Sequence, residues 1–218
     1  MSLQSRFSRI VRKAVDPVLL PLGFTRRGQD YKRSLDRLWW VFQVARSRWN
    51  TAEECSFGIG GGILVPEVNN IIYYHLPPII PEKADVGDCI IRYAPEVELR
   101  RGWEIRQGDD EHSVDAQIIE EIREYIGTKM MSFYQNFNCL DDVIEFLTHL
   151  RHHGGEIPHS PVKVGPSSHF IPLHLAVLYW LKGDQKQACA YFEEMLQEVR
   201  IDWWQEHLLR LKERLGCK

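Results

Sequence analysis

Leu38-Trp39-Trp40-Val41-Phe42-Gln43-Val44-Ala45-Arg46 is the stretch on which the fold turns. Rich in β-branched and aromatic residues and free of Gly and Pro, it reads as a β-strand. Apolar side chains occupy both parities as far as Val44, the pattern of a central strand covered on each face. Trp39 and Trp40, as neighbours on a strand, are expected to point to opposite faces.

Working outward, Asp36-Arg37 is a tight connection to a preceding strand at 31–35, and turn-like residues lead to a following strand at 56–65, so the three form an antiparallel meander. Two further short strands are expected at 89–93 and 102–106. Ahead of them, after the strand at 56–65, residues 66–88 hold Pro66, Pro77, Pro78 and Pro81 among Ile71, Ile72, Tyr73 and Tyr74. That stretch is too Pro-broken for a long helix and too aromatic for a disordered linker, so an ordered excursion is expected.

Helices flank the strands. Phe7, Ile10, Val11, Ala14, Val18 and Leu22 recur at helical spacing among Arg6, Arg9, Arg12 and Lys13; Asp16-Pro17 suits a kink or a restart, and Gly23 a stop. Asp109-Asp110-Glu111 leads into a helix at 114–126, and another spans 141–153 before Gly154-Gly155. Residues 154–171, rich in Gly, Pro and Ser, form the best candidate boundary, after which 173–181, 185–200 and 203–215 are apolar-periodic. The fold class expected is α+β: an antiparallel four- or five-stranded sheet with flanking helices, followed by a three-helix C-terminal extension. The corresponding division is a sheet domain at 1–153, a linker-like loop at 154–171, and a helical extension at 172–218 packed on the sheet domain or on a second subunit.

A composition of 44% hydrophobic and 26% charged residues excludes disordered and fibrous classes. No apolar run approaches a membrane span and the first residues lack a signal-peptide core, so a cytoplasmic protein with no membrane contact is expected. The five cysteines are far apart, with neighbours never closer than 28 residues, and are read as reduced thiols with no disulfide framework. Charge is uneven: residues 1–50 carry 11 Lys+Arg against 3 acids, residues 101–150 carry 4 against 11. Folding can set the two side by side, so the imbalance calls for no external polyanion.

The chemistry-bearing patterns are few. Gly58-Ile59-Gly60-Gly61-Gly62 lacks the Gly-Lys-Ser/Thr of a phosphate loop and reads as a strand that bulges or meets another backbone. Glu145, His149 and His153 share a helix face, with His152, His159 and His169 nearby, which suits metal ligation; the helix C-terminal dipole explains the same histidines without a metal. The acids Asp109, Asp110, Glu111 and Asp115 suit a helix N-terminus, Glu96 and Glu98 are a surface pair, and Ser167-Ser168-His169 offers no triad. No cofactor is expected. What remains is a basic and aromatic cluster on or beside the strands: Arg26, Arg27, Trp39, Arg46, Arg92 and Trp103 are the candidate binding residues, with Lys32, Arg33, Arg48, Tyr31 and Trp49 around them. Such a surface can stack planar groups and grip anions, although the same aromatics also suit a core.

An opening helix ending in Gly23-Phe24, then Tyr31, Trp39-Trp40-Val41-Phe42-Gln43-Val44, Phe57-Gly58-Ile59-Gly60, Cys89-Ile90-Ile91-Arg92 and Trp103 resembles the bacterial family called domain of unknown function 4304, over about residues 7–147. The resemblance implies no activity. Leu175, Ala176, Tyr179, Gly183, Ala188 and Phe192 are similar in spacing to a single tetratricopeptide helical hairpin, at about 173–200. The function expected is that of a non-catalytic binding or protein-interaction domain, its partner an unknown protein or a small anionic ligand, with a homodimer as a further form. Two alternatives stand beside it: a metal-assisted hydrolase using the His149–His169 region, and nucleic-acid or anion binding through the basic N-terminal half, nucleic acid being the less favoured partner.

Overall fold

A computed structural model describes residues 2–79, 83–94, 102–153, 160–165 and 167–217. The chain opens with helix α1 (Leu3–Leu19), whose N-terminal N–H of Ser5 is accepted by the Ser2 hydroxyl at 3.3 Å. Its apolar face is buried, as the spacing predicts. The helix runs through Pro17 instead of restarting at Asp16. Proline has no N–H to give the carbonyl four residues back, and Arg123 supplies that donor: its Nε and Nη2 reach the Lys13 oxygen at 3.2 and 2.8 Å. Asp16 is left to accept from the Tyr31 hydroxyl at 2.6 Å and from Arg26 at 2.9 Å. Gly23, at φ +85°, ends the 3₁₀ turn that follows.

The sheet consists of β1 (Thr25–Arg27), β2 (Asp30–Leu35), β3 (Leu38–Arg46), β4 (Glu54–Leu64), β5 (Ile91–Tyr93), β6 (Trp103–Arg106) and β7 (Val162–Val164). All pairings are antiparallel, in the order β1-β2-β3-β4-β5-β7, with β6 beside the first half of β4. Among the described residues, seven strands stand where four or five were expected. The two missed ones, β1 and β7, are three residues long, too short for an alternation to register. Strand β7 lies inside the stretch 154–171 that was expected to be linker-like, and pairs Val162, Lys163 and Val164 with Tyr93, Arg92 and Ile91. Asp36, at φ +47°, makes the two-residue turn that fixes the β2–β3 register at Ser34 opposite Trp39 and Lys32 opposite Val41.

One face of the sheet, carrying Trp40, Phe42, Ile59, Ile63 and Ile91, is the core face. It is covered by α1, by α3 (Glu111–Tyr125), and by a π-helical turn (Ile126–Met130) leading into α4 (Met131–Tyr134). Tyr134 stacks on Trp40 with ring centroids 5.2 Å apart and donates its hydroxyl to the Val41 carbonyl at 2.6 Å. A Cβ on Gly61 would meet Met130 and Tyr134. On the opposite face Gly62 does the same for Cys89, where a Cβ would lie 2.6 Å from the Cys89 Cβ and 2.7 Å from the Ile91 carbonyl oxygen. There Val41, Leu64, Ala84 and Cys89 make a second, small apolar cluster with Trp39, Ile79 and Val86, beside α2 (Pro66–Ile72).

The basic front of the chain and its acidic middle meet at α1 and α3. Arg6, 2% exposed, donates Nε to Asp115 at 2.7 Å and Nη1 to the Arg106 carbonyl at 2.9 Å and to Asp109 at 3.3 Å. Arg9 bridges Glu111 at 3.1 Å and Asp115 at 2.5 Å. Asp110 caps α3, and the Ser113 hydroxyl, with the His112 N–H, holds its carboxyl below the usual range.

Helices α5 (Leu140–His152), α6 (Ile171–Leu181), α7 (Gln185–Glu198) and α8 (Asp202–Arg214) complete the chain. Helices α6 and α7 form the expected hairpin across Lys182-Gly183-Asp184, with Asp184 capping α7. Every residue from Ile171 to Leu178 is buried, and α6 packs on α5, α7 and α2. Buried residues of α6, α7 and α8 share one apolar cluster with those of the sheet. No helix of the described residues is long and apolar enough to cross a membrane. The reading of all cysteines as reduced thiols fails at one pair: Cys189 and Cys217 form a disulfide, with Cα atoms 5.3 Å apart. Linear spacing hid it because the end of α8 returns to the start of α7, where Gln185 also donates to the Leu215 carbonyl at 2.6 Å.

Gly62→Ala is expected to cost roughly 2 kcal/mol, since the added methyl must displace backbone as well as Cys89; urea unfolding reads this directly, and an unchanged midpoint would refute the close approach. Alkylating the denatured, unreduced protein should label three cysteines, Cys55, Cys89 and Cys139, and reduction should lower stability by about 3–4 kcal/mol, the loop-closure value for a separation of 28 residues. Five labelled cysteines would show the bond to be absent. His174 is fully enclosed and its Nδ1 has no hydrogen-bond partner among the described residues; burial, with the Arg92 charge adding to it, pushes its pKa down to about 3. A folded pKa below the unfolded value of about 6.5 means stability that is present above pH 6.5 and lost as pH falls toward 3, by up to ~1.4 kcal/mol per pH unit for one proton. Wild-type stability should therefore fall more steeply than that of His174→Leu between pH 6 and 4; parallel curves would contradict a neutral buried ring.

Candidate ligand groove on the open face of the sheet

Strand parity divides the six sequence-predicted binding residues. Arg26, Arg46 and Trp103 belong to the side that faces α1 and α3. Trp103 is 6% exposed, stacks on Phe57, and donates its indole N–H to Glu121 at 3.0 Å. Arg46 lies over the Phe7 ring at 5.7 Å and bonds Gln4, while Arg26 is taken by Asp16 and the Gly28 carbonyl. Arg26 and Arg46 thus tie α1 to the sheet, and Trp103 ties α3 to it. Arg33 likewise covers Trp40, at 4.7 Å.

Arg27, Trp39 and Arg92 share the other face. Register explains it: Arg27 pairs with Asp30, Thr25 with Lys32, Ser34 with Trp39, and partners opposite one another in a ladder point the same way. Thr25, Arg27, Asp30, Lys32, Ser34 and Trp39 therefore line one groove of about 680 Å³, with Arg26 at its end. Among the described residues of its lining, three are cations and one is an acid, Asp30, which accepts from Gln43 at 2.9 Å. Trp39 is half-buried, one side against the small cluster of Val41 and Leu64. The groove thus offers an aromatic wall, two cationic side chains on the open face and two hydroxyls, a set suited to a flat anion. Thr25, Lys32 and Ser34 were not among the six. The alternation of 30, 32 and 34, carried across the two-residue turn to 39, is the signal that selects them.

Arg92 lies further along the same face, on β5, apart from this groove. The other chemical candidates do not assemble. Gly58–Gly62 lies within β4, and the helix after it has seven residues, so no phosphate loop is built. His149 and His153 stack on each other at 4.1 Å, and His153 Nδ1 bonds the His149 carbonyl at 2.8 Å. His169 is exposed in a 3₁₀ turn capped by Ser167, and His159, Glu96, Glu98 and Gly154-Gly155 lie outside the described residues. Among the described residues no group of three or more His, Cys, Asp or Glu could hold a metal. Cys89 is enclosed and burial raises its thiol pKa well above the ordinary value, so it is a poor nucleophile.

No curated protein and no solved structure matches the chain. Residues 15–206, however, match the family described as Domain of unknown function (DUF4304), a span that takes in the sheet, the α6–α7 hairpin and the start of α8. The chain belongs to that family.

Proposed function

We propose that this chain is a non-catalytic binding domain whose ligand is a small planar anion held in the groove between Arg27, Lys32 and Trp39. The observation that carries the reading is the register: three strands deliver two cations and an indole to one face at adjacent ladder positions. The ring of the ligand stacks on Trp39 and its carboxylate or phosphate meets Arg27 and Lys32, with Thr25 and Ser34 as hydroxyl partners. The reading as a binding role is supported by the lining, whose described residues are cationic, aromatic and hydroxyl-bearing, with one carboxylate that accepts a hydrogen bond from Gln43.

Isothermal titration with nucleoside monophosphates and aromatic carboxylates tests this. Binding of one probe class is expected, weakening tenfold or more, about 1.4 kcal/mol, in each of Arg27→Ala, Lys32→Ala and Trp39→Ala. Arg46→Ala, on the opposite face, should leave it unchanged. Equal loss in Arg46→Ala, or no heat with any probe, would overturn the reading. A single-stranded oligonucleotide binding far more tightly than the mononucleotide, with a steep salt dependence, would replace the small anion by nucleic acid.

A further inference from the structure

The same face holds a second concavity, of about 290 Å³, between α2 with the loop after it and the β5–β7 edge. Its volume equals that of roughly ten water molecules. Among the described residues of its lining, Arg92 is the one cation. The guanidinium is fixed, not free to swing: Nε donates to the Cys89 carbonyl at 3.2 Å and Nη2 bonds the Gly87 carbonyl. Both bonds go to neutral oxygens, and among the described residues no carboxylate forms an ion pair with it. Gly165 makes room for this arrangement, because a Cβ there would run into Arg92 and the Cys89 carbonyl. A guanidinium buttressed by backbone on one side has its remaining N–H groups available in a planar fork, the geometry that carboxylates meet in a bidentate way.

The rest of the lining fits the remainder of such a ligand. Tyr73, Leu76, Pro77 and Ile79 give an apolar wall. Asn70 accepts the Ile79 N–H at 2.7 Å, which fixes its carbonyl oxygen and leaves its amide N–H groups as donors. Asp88, the one acid present, accepts the Asp85 N–H at 2.9 Å on the capping side of the turn. The charge of Arg92 is felt by Tyr73, Cys89 and the enclosed His174, so the positive potential reaches through the poorly solvated ground around the pocket.

We infer that this pocket is a binding site for a small carboxylic acid with an apolar tail of about ten heavy atoms in all, its carboxylate on Arg92 and its tail against Tyr73, Leu76 and Ile79. It is independent of the Arg27 groove, from which the Trp39 and Val41 cluster separates it.

The test is an amide-resolved NMR titration of the full chain with benzoate, with benzamide as the neutral isostere. Benzoate should saturate and shift the Arg92, Gly165 and Tyr73 amides, and benzamide should bind at least tenfold more weakly. Arg92→Gln should abolish the difference between the two probes at these three amides, while Arg27→Ala should leave the benzoate shifts of the Arg92, Gly165 and Tyr73 amides unchanged and remove only shifts at the groove amides, which keeps this site's failure separate from that of the groove. If Arg92→Gln does not fold, the wild-type comparison of benzoate with benzamide decides alone. Equal binding of the two probes, or benzoate shifts confined to the Arg27 groove, would overturn the inference.

Discussion

The structure depends on two missing side chains. Gly61 and Gly62 are adjacent on the long strand β4 and so face opposite ways. On one side the absence lets Tyr134 and Met130 press onto the sheet, on the other it lets Cys89 do so. Everything layered on the sheet takes its height from these contacts. Tyr134 reaches the Val41 carbonyl because nothing stands between ring and strand. The loop carrying Cys89 lies low enough for Arg92 to be held by two of its carbonyls. The groove and the Arg92 pocket are thus the hollows left on either side of a cluster seated on a glycine.

Much of this was legible in residues and their spacing. The two-faced apolarity of Leu38–Arg46 marked the central strand, and the structure gives it the same bounds. The glycine run was readable as a close approach, although not which partners approach. Of the short strands, β5 and β6 were legible in 89–93 and 102–106, whereas β1, Thr-Arg-Arg, has no apolar residue to mark it and β7 was hidden by its Gly- and Pro-rich setting. The disulfide was invisible for a different reason: it depends on how α8 is directed against α7, a tertiary fact with no local signature.

The candidate site was legible in type and not in grouping. Arg27, Trp39 and Arg92 were chosen for being basic or aromatic near strands, and so were Arg26, Arg46 and Trp103, which serve α1 and the core. Type selects side chains able to bind an anion, whereas parity decides which of them face a ligand and which face a helix. Arginine stems cover aromatic rings as readily as they hold anions, and Arg33 over Trp40 does the former. Part of the excess charge at the front of the chain, that of Arg6 and Arg9, is answered within the molecule by Asp109, Glu111 and Asp115.

That internal answer comes late in the chain. Arg6 leaves the ribosome well before the carboxylate it needs, which follows 109 residues behind. At about 5–20 residues per second, synthesis leaves the guanidinium without it for roughly 5–20 seconds. During that time α1 cannot bury its arginine without leaving a charge uncompensated, so its apolar stripe stays open to the solvent. The emerging chain therefore shows an apolar stripe on α1 that the folded one buries, while Arg12 and Lys13 face solvent in both.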